Sequence, residues 1–414
     1  MSEIPTLRQG EPSPVIFHLG AALVSYSQAL LASPRASSAN FPWRPELRGA
    51  AAGLSPAIDR IEVGLEVARR LHTMVEGMEK WQRHPYRRQL EDPECIWQAG
   101  SARLLDYGRI TEATDPIGLP VLVVPSLINK HYILDLVPER SMLRWLAGQG
   151  VRPLLLDWAG PTQDEADFSM EDYGRERLIP ALQHVCNMTG RDVSVLGYCM
   201  GGTLAAGLAA NRPEGVANLV TIGAPWNFNS TVGIAGALRA MIRANGPEHV
   251  VRLLRGMGEA FGFIPVILFQ TLFSMVNPMQ ASIKFRRFAS LAPNGMEAKL
   301  FVALEDWLSD GVCMAAPAAE DLLVDWQIRN APALGKWEFL GSRVDARNIR
   351  IPTISFCGRR DTIAPPPLAE ALPQAIPGGA VMLPDTGHVG MVVGGNARNA
   401  VWKPLAEFLL THNS

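Results

Sequence analysis

The stretch VSVLGYCMGGTLAAGLAA, Val193–Ala210, decides the fold. It opens as a short valine-containing strand, passes through Gly197-Tyr198-Cys199-Met200-Gly201, and continues as a helix of small residues. A strand that turns at once into a helix through Gly-x-nucleophile-x-Gly is a nucleophile elbow, here with Cys where Ser is usual. The turn strains the nucleophile's backbone, and glycines two residues to either side let neighbouring elements pass close by. The helix that follows aims its N-terminus at the sulfur, which favours thiolate and any oxyanion formed beside it. Cys199 is therefore the candidate nucleophile. A free cysteine is more often a small buried hydrophobe. Cys186, at helical spacing from Ile179 and Leu182, fits that description. The strand before Cys199 and the helix after it set Cys199 apart.

Around the elbow, short apolar runs alternate with helical stretches. Strands are expected at Arg103–Tyr107, Val121–Val124, Pro153–Leu156, Val193–Leu196, Leu219–Ile222, Thr353–Phe356 and Ala380–Leu383. Segments such as SMLRWLAGQG and RERLIPALQHVCNM between them carry helical apolar spacing. Strands alternating with helices predict a mostly parallel sheet covered on both faces. With the elbow, that is the α/β-hydrolase fold, whose catalytic residues follow the chain order nucleophile, acid, histidine.

Downstream of Cys199 the histidines are His249, His388 and the C-terminal His412. His249 lies in a helical stretch, PEHVVRLL, and reads as a surface residue. His388, in LPDTGHVGM, follows the last expected strand on a glycine-flanked loop, where this fold holds its general base. The acid belongs on the loop after the preceding strand, and TISFCGRRDTIAPP delivers Asp361 there. His388 lies 27 positions after Asp361, enough for one helix and one strand. Asp385 is the rival, but it shares a loop with His388, whereas acid and base come from separate loops in this arrangement. Two backbone N–H groups should face the developing oxyanion. Met200, after the nucleophile, supplies one; Leu127, in the loop of VLVVPSLINK, is nominated for the other.

From Trp226 to about Asn348 the alternation lapses into helical stretches, including the apolar FGFIPVILFQTLFSMV, Phe261–Val276. A helical cap insertion over about 226–348 is expected. Residues 1–100 read as a helical N-terminal region and 101–414 as the catalytic domain. In the former, Ile58, Ile61, Leu65, Ala68, Leu71, Val75 and Met78 mark an amphipathic helix ending near His84-Pro85. The turn-rich SPRASSANFPWRP, Ser33–Pro45, precedes it. The apolar run Val15–Ala32 lacks a basic flank and is interrupted by His18, Ser25, Ser27 and Gln28, so a docking helix is expected rather than a signal or a span. Thirty-eight basic against 40 acidic residues argue against nucleic acid as a partner. Five cysteines without paired spacing fit a reducing cytoplasm, and no structural metal is expected.

Several of these segments resemble the polyhydroxyalkanoate (poly-3-hydroxybutyrate) synthases. They are PSLINKHYILDLVPERSMLRWLAGQG, LLLDW, LGYCMGGTLAA, GRRDTIAPP and TGHVG, with HPYRR, IWQAGSARLLDYG and FVALEDWLSDG. The similarity runs over most of residues 80–410. It implies a cytoplasmic, polymer-granule-associated acyltransferase that polymerises (R)-3-hydroxyacyl-CoA and releases CoA. Cys199 would carry the growing chain as a thioester. His388 would deprotonate the thiol, and Asp361 would assist His388 or help activate the next 3-hydroxyl. No cofactor is implied beyond the CoA thioester, which is substrate. The growing polyester and the granule surface are the implied partners, and a homodimer and a partner synthase subunit are both compatible. The N-terminal region is shorter than in single-subunit synthases, and the cap is nearer to the shorter, partner-dependent type. The same triad would serve a thioesterase or an intracellular polyester depolymerase. A non-catalytic granule-binding homologue would have no physical reason to retain all three side chains.

Overall fold

The computed structural model describes residues 14–33, 45–53, 60–212, 214–229 and 246–412, with 36, 38, 41, 43 and 236. Ile58, part of the Ser33–Pro45 turn and part of the 226–348 insertion lie outside the described residues. The chain divides into two compact units, residues 1–87 with 277–305, and residues 88–276 with 306–414.

The larger unit is built on an eight-stranded sheet. Its strands are β1 (Cys95–Ala99), β2 (Ala102–Asp106), β3 (Leu119–Val124), β4 (Val151–Asp157), β5 (Val193–Tyr198), β6 (Val216–Ile222), β7 (Thr353–Phe356) and β8 (Ala380–Met382). The spatial order is β1-β2-β4-β3-β5-β6-β7-β8. β2 runs antiparallel to β1 and β4, and all the other pairs are parallel. That order, with the elbow after β5, is the α/β-hydrolase fold. Every residue of β3, β4 and β5 is buried, as expected of parallel strands covered on both faces. Across the sheet, Thr221 on β6 and Ser355 on β7 share a 2.7 Å hydroxyl hydrogen bond.

β1 is the strand absent from the expectation, and it moves the start of the sheet to Cys95, ahead of a boundary at residue 100. It is an edge strand whose residues are all partly or largely exposed, so its composition carries no buried-strand signal. Within the insertion, Glu338–Phe339 and Ser342–Arg343 form a small hairpin apart from the main sheet.

The smaller unit is helical. Helix Arg60–Arg83 packs against Gln280–Ala289, and Met74, Met78, Trp81, Phe285, Phe288 and Val302 form its core. Residues 277–305 therefore cluster with the N-terminal helices, although they fall inside the stretch read as cap. Helix Val15–Ala32 contributes Ala22 and Tyr26 to this core, and the Tyr26 hydroxyl lies 2.7 Å from that of Ser282. The helix is long and apolar enough to cross a membrane, with a mean hydropathy of 1.6. Its docked face is narrow: Ile16, Leu23, Val24 and Leu31 are exposed.

Candidate active site

The sheet delivers its chemistry at the carboxyl ends of the strands, as open α/β sheets do. Cys199 follows β5 with φ 54° and ψ −129°, a conformation that costs about 1–3 kcal/mol and persists only where its surroundings enforce it. They do. Its N–H donates to the Ile222 carbonyl at the end of β6 (2.8 Å), and its own carbonyl accepts from the Gly202 N–H (2.9 Å). A Cβ on Gly197 would strike the backbone of Gly202, and one on Gly201 would strike the carbonyls of Val124 and Pro125. The loop after β3 thus presses directly on the elbow, held there by the Trp158 indole N–H on the Pro125 carbonyl (3.0 Å). Helix Met200–Asn211, which starts at the sulfur, is buried for most of its length.

His388 and Asp361 arrive on two loops that are stitched together. Cys357 donates to Met382, Arg359 to Pro384 and Arg360 to Thr386, all backbone to backbone. The His388 Nδ1 lies 2.7 Å from Asp361 Oδ2. Asp361 Oδ1 accepts the N–H groups of Ile363 (2.8 Å) and Ala364 (2.9 Å), so both carboxylate oxygens are committed. Both side chains are buried. Burial would lower the His388 pKa. The Asp361 carboxylate, the charge on Cys199 and hydrogen bonds to both outweigh it and hold the imidazole well above its ordinary range. The Tyr198 ring lies 5.3 Å from the imidazole, centroid to centroid, and braces it from one side.

The structure brings Cys199, His388 and Asp361 together and leaves the rivals elsewhere. Asp385 is exposed and pairs with Arg360 at 3.0 Å. His249 is exposed on helix Pro247–Phe261. Cys186 packs against the core, with its sulfur 3.5 Å from the Gly215 carbonyl. Met200 opens its helix with its N–H at the elbow. In the loop after β3, the Ser126 hydroxyl accepts the Ile128 N–H (3.2 Å), and Leu127 lies between these two residues.

Cys199 opens into a cavity lined by Ile128, Phe228, Phe269, Leu272, Phe273 and Leu323 among others. Three of these come from helix Val266–Val276, the core of the apolar run noted in the sequence. Cys199 aside, one lining side chain carries oxygen or nitrogen among the described residues: Gln327. Sequence reasoning passed over it, because it lies within the insertion just after an irregular helical turn, Asp321–Trp326, where a 3.6-residue period does not apply. Its one signal was a polar residue following the apolar DLLVDW.

Residues 91–146 match the family described as "Poly-beta-hydroxybutyrate polymerase (PhaC) N-terminus". Residues 177–373 match a protein family of unknown function, DUF3141. The poly(3-hydroxyalkanoate) polymerase subunit PhaC of Haloferax mediterranei is 28% identical over 76% of this chain and 63% of its own length. That of Haloarcula marismortui is 29% identical over 70% and 60%. The chain thus spans about 60% of the length of these two relatives. The Synechocystis PhaC subunit is 28% identical over 76% of this chain and 83% of its own. Among solved structures, a soluble variant of monoglyceride lipase from Saccharomyces cerevisiae aligns at 12% identity over 80% of this chain and 98% of that one, with a TM-score of 0.48. By its N-terminal family match and its shared identity with these polymerases, the chain is similar to the polyhydroxyalkanoate synthases.

Proposed function

We propose that this protein is an acyltransferase that polymerises (R)-3-hydroxyacyl-CoA into polyhydroxyalkanoate, releasing CoA, through a thioester on Cys199. The observation that carries the reading is a thiol, rather than a hydroxyl, on a strained elbow that opens into an apolar cavity. Exchange between a CoA thioester and a cysteine thioester is nearly isoenergetic, so the acyl group is held without a deep trap. The thiol is also the most nucleophilic common side chain near neutrality. An apolar cavity keeps water from the acyl-enzyme.

His388 takes the Cys199 thiol proton, and the thiolate attacks the carbonyl carbon of the acyl-CoA. The oxyanion is met by the N–H of Met200 and by that of Leu127. The carbon–sulfur bond to CoA breaks, and CoA leaves with the proton returned by His388. The 3-hydroxyl of a second unit then gives its proton to His388 and attacks the Cys199 thioester. The new ester forms, and Cys199 leaves as the thiol. The lengthened chain, now on CoA, returns to Cys199 by the first exchange. Asp361, with both oxygens committed, is better suited to orienting the imidazole than to reaching the hydroxyl itself.

This chemistry calls for no cofactor beyond the CoA thioester. The haloarchaeal relatives are named as subunits, and we extend to this chain a partner synthase subunit, a homodimer and residence on the polymer granule in the cytoplasm. The test is incubation of the pure protein with (R)-3-hydroxybutyryl-CoA, with and without a candidate partner subunit. Free CoA, insoluble polymer and free hydroxy acid are followed together. Polymer formed in step with CoA supports the reading. Monomeric hydroxy acid alone under both conditions replaces it with a thioesterase.

A further inference from the structure

We propose that Gln327 is the specificity residue that recognises the oxygen on C3 of the acyl group held by Cys199. This inference rests on the function proposed above. Gln327 is 8% exposed and lines the same cavity as Cys199. Its Oε1 is buried with no hydrogen-bond partner among the described residues. A buried amide oxygen left unpaired carries a desolvation cost that Leu or Met at the same place would not. It is explained by a ligand group that completes the bond when the cavity fills.

The geometry of the acyl-enzyme says which group that is. With C1 bonded to the Cys199 sulfur, the chain enters a cavity walled by Phe228, Phe269, Leu272 and Leu323, which offer nothing to a polar atom. A 3-hydroxyacyl chain carries one polar atom into that space, the oxygen on C3. The Gln327 amide has both an acceptor and a donor. It can accept from the free hydroxyl of a first unit and donate to the ester oxygen that takes the hydroxyl's place once the chain has grown. An unsubstituted acyl chain would leave the amide unpaired, and sites built to hydrogen-bond a hydroxyl reject analogues that lack it.

The experiment compares the pre-steady-state burst of CoA from (R)-3-hydroxybutyryl-CoA with that from butyryl-CoA. It uses the wild type, Gln327→Leu and Gln327→Met, so that one misfolded variant does not end the test. The readout is the ratio of the two burst rates within each protein, which a merely structural role would leave unmoved. A preference for the hydroxy substrate that falls about tenfold or more in the substituted proteins supports the inference. A ratio that stays within twofold of wild type, whatever happens to the separate rates, overturns it while leaving the synthase reading intact. Absence of Cys199 acylation by either substrate in the wild type removes the synthase reading and this inference with it.

Discussion

Two buried imidazoles in the larger unit each face a carboxylate, and they differ in what lies beyond the ring. His388 has Asp361 on one nitrogen, and its other partner is Cys199. His131, in the loop after β3, has Asp157 2.9 Å from Nδ1 and Asp92 3.5 Å from Nε2. Asp157 is itself held by Arg103 and by the Ala159 N–H. Burial opposes the charged form of His131, but Asp157 and then Asp92 outweigh it and raise its pKa to about 9. At neutral pH His131 is therefore an imidazolium clamped between two carboxylates. His388 exchanges one of those anions for an ionisable thiol beside an apolar cavity. A buried His–Asp pair is thus as good a cross-brace as a catalytic base. The second partner decides which it becomes.

The largest effect expected from breaking this contrast is at the sulfur. Cys199→Ala should lower CoA release by roughly a thousandfold or more, with Cys186→Ala retaining most activity. Because the charge on Cys199 helps raise the His388 pKa, the imidazole of Cys199→Ala should also titrate at lower pH by NMR. An unchanged titration would mean that the two side chains do not communicate. Next comes the carboxylate. Asp361→Asn should cost about a hundred- to ten-thousandfold, in acylation as well as elongation, if its role is to orient His388. A burst of one CoA per site followed by a stall would instead assign it to hydroxyl activation. Asp385→Asn should stay within about twofold of wild type in the same assay.

At the structural histidine the readout is stability. His131→Leu takes the imidazolium away from the buried Asp157 carboxylate and should cost about 3–5 kcal/mol in denaturant unfolding. The pH dependence has a definite sign. A folded-state pKa raised from 6.5 to about 9 gives stability that is fully present below pH 6.5 and is lost as pH rises through 9. Up to about 3 kcal/mol should drain away over that window. His131→Leu should abolish this slope, and a parallel slope in the variant would remove His131 as its source.

The smallest effect sharpens the comparison with a carboxyl that has no imidazole. Asp321 accepts the Met170 N–H, but burial, and then Asp325, Glu320 and Asp172, raise its pKa from 3.8 to about 6. The folded state disfavours its charge, so it costs stability above pH 6 and nothing below the ordinary carboxyl range. Asp321→Asn should stabilise the protein by about 1–3 kcal/mol at pH 7. That gain should vanish near pH 3, and equal midpoints at both pH values would refute the shift.

The interior strands and the three candidate catalytic residues were legible because each left a local pattern. Val121–Val124 and Val193–Leu196 are continuous apolar runs, and Cys199 sits between a strand and a helix. Asp361 and His388 each follow a strand on a loop with turn chemistry. What escaped has no local pattern. Cys95–Ala99 is a strand because β2 needs an edge partner, not because its residues look buried. His131 acquires its meaning from Asp157, which is adjacent only once β3 and β4 lie side by side. Residues 277–305 look like any cap helix in sequence, and only the packing of Phe285 and Phe288 on Met74, Met78 and Trp81 assigns them to the helical unit. Gln327 is one polar residue among many until the cavity forms around it.

The strand order has a consequence for synthesis of the protein on the ribosome. Cys199 stands at the end of β5, near the middle of the sheet, yet its base and the partner of that base lie beyond β8 and β7. These strands are the last of the sheet to be translated. In a nascent chain that has emerged only as far as β6, the thiol has no imidazole and no carboxylate behind it. A domain generally folds as a unit, and loop-closure entropy makes contacts between distant segments slow to form. If Cys199 acts as proposed, reactivity arrives late, with the final loops, and an unfinished chain would not begin to acylate itself on CoA thioesters.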